Sequence, residues 1–198
     1  MELVIASTNL HKIREFRELL KHIKGIDVLS LLNFQGYQPL PENLPTFKEN
    51  AIRKAEFAAK TLDKWVLADD SGLVVPKLNG DPGVLSRRYA GEDATDAENR
   101  KKLLDAMSHL DDIHRSAYYE CCLVLAAPDG VKKCTTGICE GYILKEERGR
   151  NGFGYDSLFV KGEYDKTFAE LDESTKNRIS HRYKAFEKLS PHLETLSR

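Results

Sequence analysis

"VLADDSGLVV", residues 66–75, is the stretch on which the reading of this chain turns. Trp65 to Ala68 is apolar enough to be a buried strand. Two adjacent carboxylates follow, Asp69 and Asp70, then Ser71 and Gly72, and Leu73–Val75 returns at once to apolar character. A strand that stops at paired acids usually stops at a surface that needs them. Asp, Ser and Gly are also the common turn formers, so the stretch reads equally as a turn between two buried segments.

Working outward, Glu2–Ala6 predicts a short buried strand and "STNLHK" (7–12) leads from it into a helix. Leu10, Ile13, Phe16, Leu19, Leu20 and Ile23 recur at helical spacing. Gly25 ends that helix, and residues 26–32 predict a second strand. The proline-rich segment 36–45 is a loop, and Thr46-x-x-Glu49 is a capping box that opens a helix with a small-residue face at Ala51, Ala55, Ala58 and Ala59. Thr95-x-x-Glu98 opens another helix, carrying Leu103, Leu104, Met107 and Leu110. Residues 115–127 predict a long strand, with a hairpin partner over 131–139 after the turn at 128–130 and a further strand over 140–144. A glycine-spaced loop, 148–159, precedes a strand at Leu158–Val160, and 175–197 is helical with a break at Ser190-Pro191. Helices alternate with strands first and a meander of strands follows, which predicts an α/β or α+β chain with a long twisted mixed sheet. No linker or composition shift marks a boundary, so 1–198 reads as a single domain.

Composition narrows the function. The 198 residues carry a formal net charge of −1 with 31% charged residues, so no basic excess points to nucleic acid. Mean hydropathy is −0.47 and no apolar run approaches the ~18 residues of a membrane span. The apolar core of "MELVIASTNLHK" is too short for a signal peptide. Cys121, Cys122, Cys134 and Cys139 show no C-x-x-C spacing, so small buried thiols in a reducing cytoplasm are expected rather than a zinc site.

Four polar clusters stand out. Ser7, Thr8, Asn9 and Lys12 join a strand end to a helix N-terminus, where free N–H groups, hydroxyls and an ammonium suit phosphate; an ordinary helix cap at Thr8 or Asn9 accounts for the same residues. Asp69, Asp70 and Ser71, with Glu42 from the proline-rich loop, offer hard oxygen ligands that suit Mg²⁺ and an acid able to take a proton from water. Phe153, Gly154, Tyr155 and Asp156 lie among glycines 149, 152 and 154, where a backbone can approach something flat; a tight turn with core aromatics is the plainer reading. Lys176, Ser180, His181 and Arg182 can bind phosphate or an exocyclic oxygen, or belong to a solvated helix face.

In order along the chain, "TNLHK" (8–12), "FKENAIRKA" (47–55), "LADDSGL" (67–73), "GDPGVLSRRYAG" (80–91), "GFGYDSLF" (152–159), "KTFAEL" (166–171) and "KNRISHRYKA" (176–185) resemble the inosine triphosphate pyrophosphatase family, the dITP/XTP diphosphatases. The resemblance spans nearly the whole chain. It implies Mg²⁺-dependent hydrolysis of noncanonical purine triphosphates (ITP, dITP, XTP) to the monophosphate and pyrophosphate, clearing them from the nucleotide pool. It also implies an elongated fold of two lobes around a central mixed sheet, an active-site cleft between the lobes, and a cytoplasmic homodimer with no nucleic-acid or membrane partner. By position, Thr8, Asn9 and Lys12 match the family's triphosphate-binding turn, Glu42 an acid associated with the metal, and Asp70 the metal ligand and proton acceptor. Ser71 matches a neighbouring substrate contact and Phe153 to Asp156 the base-binding loop, with Phe153 stacking on the purine. Lys176, His181 and Arg182 match the remaining substrate contacts. Arg182, or a backbone N–H near Asp156, is then the expected donor to a 6-oxo group. Ser157 departs from the family pattern, which often has proline there, and Leu85 and Arg87 stand where tyrosine and alanine are frequent. Two other readings remain open: a nucleotide-binding regulatory protein without turnover, and a pyrophosphatase of different base preference.

Overall fold

The computed structural model describes residues 1–197. A seven-stranded mixed sheet carries the fold, in the order β2-β1-β3-β4-β5-β6-β7. The strands are β1 (Glu2–Ile5), β2 (Asp27–Ser30), β3 (Trp65–Val74), β4 (Ser116–Ala127), β5 (Gly130–Ile143), β6 (Phe159–Lys161) and β7 (Lys166–Thr167). β1 is parallel to both β2 and β3, whereas β6 is antiparallel to both β5 and β7. The helices are α1 (Leu10–Leu20), α2 (Phe47–Leu62), α3 (Asp96–Ala106), α4 (Glu173–Ile179) and α5 (His181–Leu196). Among the described residues no helix is long and apolar enough to cross a membrane.

The chain forms two units. The first takes Met1–Asp70, Cys121–Gly137 and the C-terminal stretch from Arg182; the second takes Ser71–Glu120 and Ile138–His181. Each has its own core. In the first, Leu3 and Ile5 of β1, Leu67 of β3, and Leu123 and Leu125 of β4 pack with Ile13, Phe16 and Leu20 of α1 and Ala185, Phe186, Leu189 and Leu193 of α5. Those helical residues recur at steps of three and four, which puts them on one face. Each contributes about 1.5–3 kcal/mol of burial if large and apolar. In the second, Leu73, Leu103, Met107, Tyr119, Phe159 and Phe168 form the centre. Phe159 stands edge-on to both Tyr119 and Phe168, at centroid separations of 4.8 and 4.9 Å.

Caps set the helix starts. The Asn9 side chain accepts the N–H groups of His11 and Lys12 at the head of α1. Thr46 accepts the Glu49 N–H at the head of α2, and Glu49 returns through the Thr46 hydroxyl rather than the backbone. Thr95 and Glu98 form the full reciprocal box on α3. On α2, Ala51, Ala55, Ala58 and Ala59 are all 0% exposed, as a small-residue face packed closely must be.

Five expectations about elements are corrected. β3 does not end at the acid pair; it runs without interruption through Asp69 and Asp70 to Val74. The strands expected over 131–139 and 140–144 are one, β5, which ends at Ile143, and Gly141 within it leaves the space that the Val160 carbonyl of β6 occupies. α1 ends at Leu20, before Ile23 and Gly25, and α3 ends at Ala106, before Leu110. The C-terminal helix breaks at Ser180, whose backbone is extended, and not at Pro191, which lies inside α5. The Ser190 hydroxyl donates to the Glu187 carbonyl at 3.2 Å, the acceptor that Pro191 has no N–H to serve.

Candidate functional site

Four elements, β3, α1, α2 and α5 with its Arg182, bring charged side chains together in the first unit. β3 supplies Asp69 and Asp70, α1 supplies Lys12 and Glu15, and α2 supplies Lys54. Successive strand residues point to opposite faces, so adjacent acids can meet different partners. Asp69 Oδ2 is 2.9 Å from Lys12 Nζ and 3.3 Å from Arg182 Nη2. Arg182 is also paired with Glu15, and Lys54 Nζ donates to the Asp69 carbonyl at 2.8 Å. Burial works to raise the Asp69 carboxyl, but Lys12, Arg182 and Lys54 outweigh it and hold the group far below the usual carboxylate range. Asp69 is therefore a fixed anion at the centre of a cationic cluster.

Asp70 behaves in the opposite way. Burial and the Glu42 charge push its carboxyl up to about 6, against the opposing pull of Lys54 and Lys12. Glu42 is itself ion-paired with Lys54. Its carboxyl is raised by burial yet held below its ordinary value by Lys54's charge and hydrogen bond. Burial drives the Lys54 ammonium downward, but Glu42, Asp69 and Asp70 hold it above its ordinary value. A buried carboxyl raised by burial and by the charge of a half-buried neighbour, Glu42, forms a pattern found at catalytic and metal-binding positions.

That donor set fits a divalent ion of one kind. Among the described residues no cluster of three or more His, Cys, Asp or Glu forms a ready metal cage. Mg²⁺ does not require one, since it is commonly held by one or two carboxylates together with substrate phosphates and water. Glu42 and Asp70 supply that number, and a bound cation would offset both the burial and the Glu42 charge that raise Asp70.

The second unit holds the other set. Asp156 accepts Lys176 Nζ at 2.7 Å and the Phe153 N–H at 3.0 Å. Tyr119 Oη lies 3.5 Å from its other oxygen. Asp156 and Lys176 are 5% and 7% exposed, so their pairing is a buried one. Lys176 Nζ stands 4.8 Å from the centre of the half-buried Phe153 ring. His181 stacks on Tyr119 at 4.7 Å with the rings 11° from parallel. Gly152, at φ +79, lies where any Cβ would collide with the Asp156 carboxylate. Only glycine allows this turn to close over its acid.

The sequence candidates thus divide. Lys12, Glu42, Asp70 and Arg182 fall in the first unit; Phe153, Gly154, Tyr155, Asp156, Lys176 and His181 fall in the second. Ser71 follows Asp70 on β3. The Ser7 hydroxyl accepts the Asn9 N–H at 3.1 Å, and Thr8 is exposed beside them. Arg182 is 3% exposed and committed to Glu15 and Asp69, while Lys176 sits with Asp156 and Phe153. Tyr155, whose phenol burial pushes up, donates to the Ser86 carbonyl at 2.8 Å. Sequence reading missed Lys54, Glu15 and Tyr119. Lys54 stands inside a quoted motif, next to the alanine face of α2. Glu15 looks like one more solvent charge between Ile13 and Phe16, and Tyr119 like any strand aromatic. Cys121, Cys122, Cys134 and Cys139 are all free thiols, and all but Cys134 are buried.

The chain matches the model of the Ham1 family over residues 3–192. It is 64% identical over 198 residues to a protein of Protochlamydia amoebophila named dITP/XTP pyrophosphatase, covering 99% of each chain. A protein of Chlamydia abortus with the same name is 52% identical over 197 residues, covering 99% of this chain and 96% of its own. The solved structure of a HAM1 protein from Coxiella burnetii superimposes with a TM-score of 0.89 at 44% identity, covering 98% of this chain and 99% of the other. With a match along nearly its whole length in both sequence and fold, the chain belongs to the Ham1 family.

Proposed function

We propose that this protein hydrolyses noncanonical purine nucleoside triphosphates, ITP, dITP and XTP, to the monophosphate and pyrophosphate. The observation that carries the chemistry is the contrast between Asp69, locked as an anion by three cations, and Asp70, buried, opposed by Glu42 and titrating near neutrality. That carboxyl is poised to exchange a proton in the metal-free protein, and beside a bound cation it would stay ionised and able to accept a proton from an attacking water. Relatives named dITP/XTP pyrophosphatase at 64% and 52% identity support the substrate class.

The roles divide between the two sets. Glu42 and Asp70 would hold Mg²⁺, which would supply positive charge for the developing phosphate oxygens and help acidify water. Asp70 takes the proton of the water that attacks the α-phosphorus. Lys12 and Lys54 supply positive charge for the polyphosphate, and Thr8 and Asn9 present the turn at the head of α1 to it. Ser7 orders that turn through the Asn9 N–H, and Ser71 contacts substrate next to Asp70. Transfer of the nucleotidyl group to water, with pyrophosphate leaving, needs placement and electrostatics more than covalent help.

In the second set Phe153 stacks on the purine, and Gly154 and Tyr155 hold its turn. We assign the donor to the 6-oxo group to Lys176 rather than Arg182. Lys176 already lies against Phe153 and Asp156, while Arg182 is held by Glu15 and Asp69. His181, stacked on Tyr119, braces the same set. An ammonium donor meets an acceptor on hypoxanthine or xanthine and a donor on adenine, and a mismatch of that kind discriminates strongly. We further propose a cytoplasmic homodimer that engages neither nucleic acid nor membrane, in keeping with the net charge of −1.

The test is pyrophosphate release with Mg²⁺ from ITP, dITP, XTP, GTP, ATP and dUTP. Release from the first three well above the rest supports the proposal. Binding of ITP without release would favour a regulatory protein, and preference for dUTP a different base pocket.

A further inference from the structure

The turn that carries Phe153 and Asp156 is gripped from outside by residues with no role in the account so far. Asp96 and Arg100 stand one helical turn apart on α3, on one face. Asp96 Oδ2 accepts the Gly154 N–H at 2.7 Å, and Arg100 Nη1 donates to the Gly154 carbonyl at 2.9 Å. Both polar groups of one residue's backbone are thus read by one helix. Gly154 needs the grip, because its φ of +60 is a conformation that glycine leaves readily. Behind the turn, Arg100 Nε pairs with Glu147 Oε2 at 2.9 Å, and the same oxygen accepts the Ser157 hydroxyl at 2.8 Å. The chain of contacts Gly154–Arg100–Glu147–Ser157 therefore ties both ends of the Phe153–Asp156 segment to α3. Arg100 suits this task because its guanidinium hydrogen-bonds Gly154 through Nη1 while its charge pairs with Glu147.

We propose that Asp96 and Arg100 are positioning residues. They fix the Gly154 backbone, and through it the plane of the Phe153 ring and the Asp156 carboxylate, so that affinity for the purine depends on them although neither touches it. The proposal rests on the reading of this turn as the base-binding loop.

The experiment compares wild type, Arg100→Met, Arg100→Lys and Asp96→Asn in steady-state hydrolysis of ITP, alongside amide hydrogen exchange over residues 152–157. Arg100→Met raises KM about tenfold, the order of one lost base–aromatic stack, and changes kcat by far less. Arg100→Lys keeps a cation and one donor; it falls between wild type and Arg100→Met, and serves as the test if the methionine variant fails to fold. Exchange at 152–157 quickens in the variants while the amides of β4 do not change. A wild-type enzyme active on ITP whose KM stays within twofold in both Arg100 variants overturns the positioning role. Faster exchange with an unmoved KM does the same. A wild type inactive on ITP would overturn the base-loop reading itself, and this proposal with it.

Discussion

Replacing Asp69 with asparagine removes one charge from the middle of the first unit and leaves the shape nearly unchanged. The carboxylate is 2% exposed, 2.9 Å from Lys12 and 3.3 Å from Arg182. Breaking a buried ion pair by removing one partner costs about 3–5 kcal/mol, because the other charge stays buried without compensation. Here Arg182 keeps Glu15, and the Lys12 side chain is 18% exposed and can draw on water. The loss therefore falls at the low end, about 3 kcal/mol, or roughly a 10 °C drop in Tm for a chain of this size. The sign with pH follows from the depressed carboxyl. A group whose folded pKa lies below its unfolded value contributes stability that is complete above the unfolded pKa and lost as pH falls below it. The gap between wild type and Asp69→Asn is then full at pH 7, begins to narrow only below about pH 4, and is lost as pH falls through the strongly depressed folded pKa.

The same change one residue later reverses the sign. The Asp70 carboxyl is raised to about 6, so its ionisation opposes folding fully above that pH and not at all below about pH 4. Asp70→Asn stabilises the metal-free protein at pH 8 by about 2–3 kcal/mol, at about 1.4 kcal/mol per pKa unit. Urea unfolding of both variants with a chelator, at pH 4 and pH 8, reads all four values. Equal losses from the two substitutions at pH 8 would refute the division of the acid pair into one anchor and one working carboxyl.

Other substitutions test the remaining parts. Phe153→Ala raises KM for ITP about tenfold or more with a smaller change in kcat, as loss of a base stack should; steady-state kinetics on ITP and XTP measure it. Gly152→Ala forces a side chain into the Asp156 carboxylate at a φ of +79, and lowers stability by about 1–3 kcal/mol in thermal unfolding. Thr46→Ala removes the cap of α2 and costs about 1 kcal/mol, seen as a Tm lower by about 2–4 °C.

Much of this was legible because local chemistry and tertiary role agree. The caps at Asn9, Thr46 and Thr95, the alanine face of α2 and the apolar spacing of α1 are all local signals, and each marks a helix that forms. What escaped notice depended on distant residues. Nothing near Asp69 announces that Lys12 and Arg182, far off in sequence, hold it inside a strand, so the acid pair looks like a strand end. Lys54 and Glu15 read as solvent charges because helix periodicity locates the apolar face and is silent about a charge that a neighbouring strand neutralises. Pro191 looks like a break because the Ser190 hydroxyl that stands in for the missing donor is invisible to a rule about backbone N–H groups. The Lys176–Asp156 pair closes over 20 residues through a buried contact that no short motif encodes. Ser157, a departure from the family pattern, acquires meaning only once Glu147 and Arg100 are placed beside it.

The most direct test of the central claim, that water activated at Asp70 attacks the α-phosphorus, is hydrolysis of ITP in ¹⁸O-labelled water with mass analysis of both products. The account predicts one ¹⁸O in the nucleoside monophosphate, unlabelled pyrophosphate, and a rate lowered about 10²–10⁴-fold in Asp70→Asn. Label in the pyrophosphate, or release of orthophosphate, would contradict it.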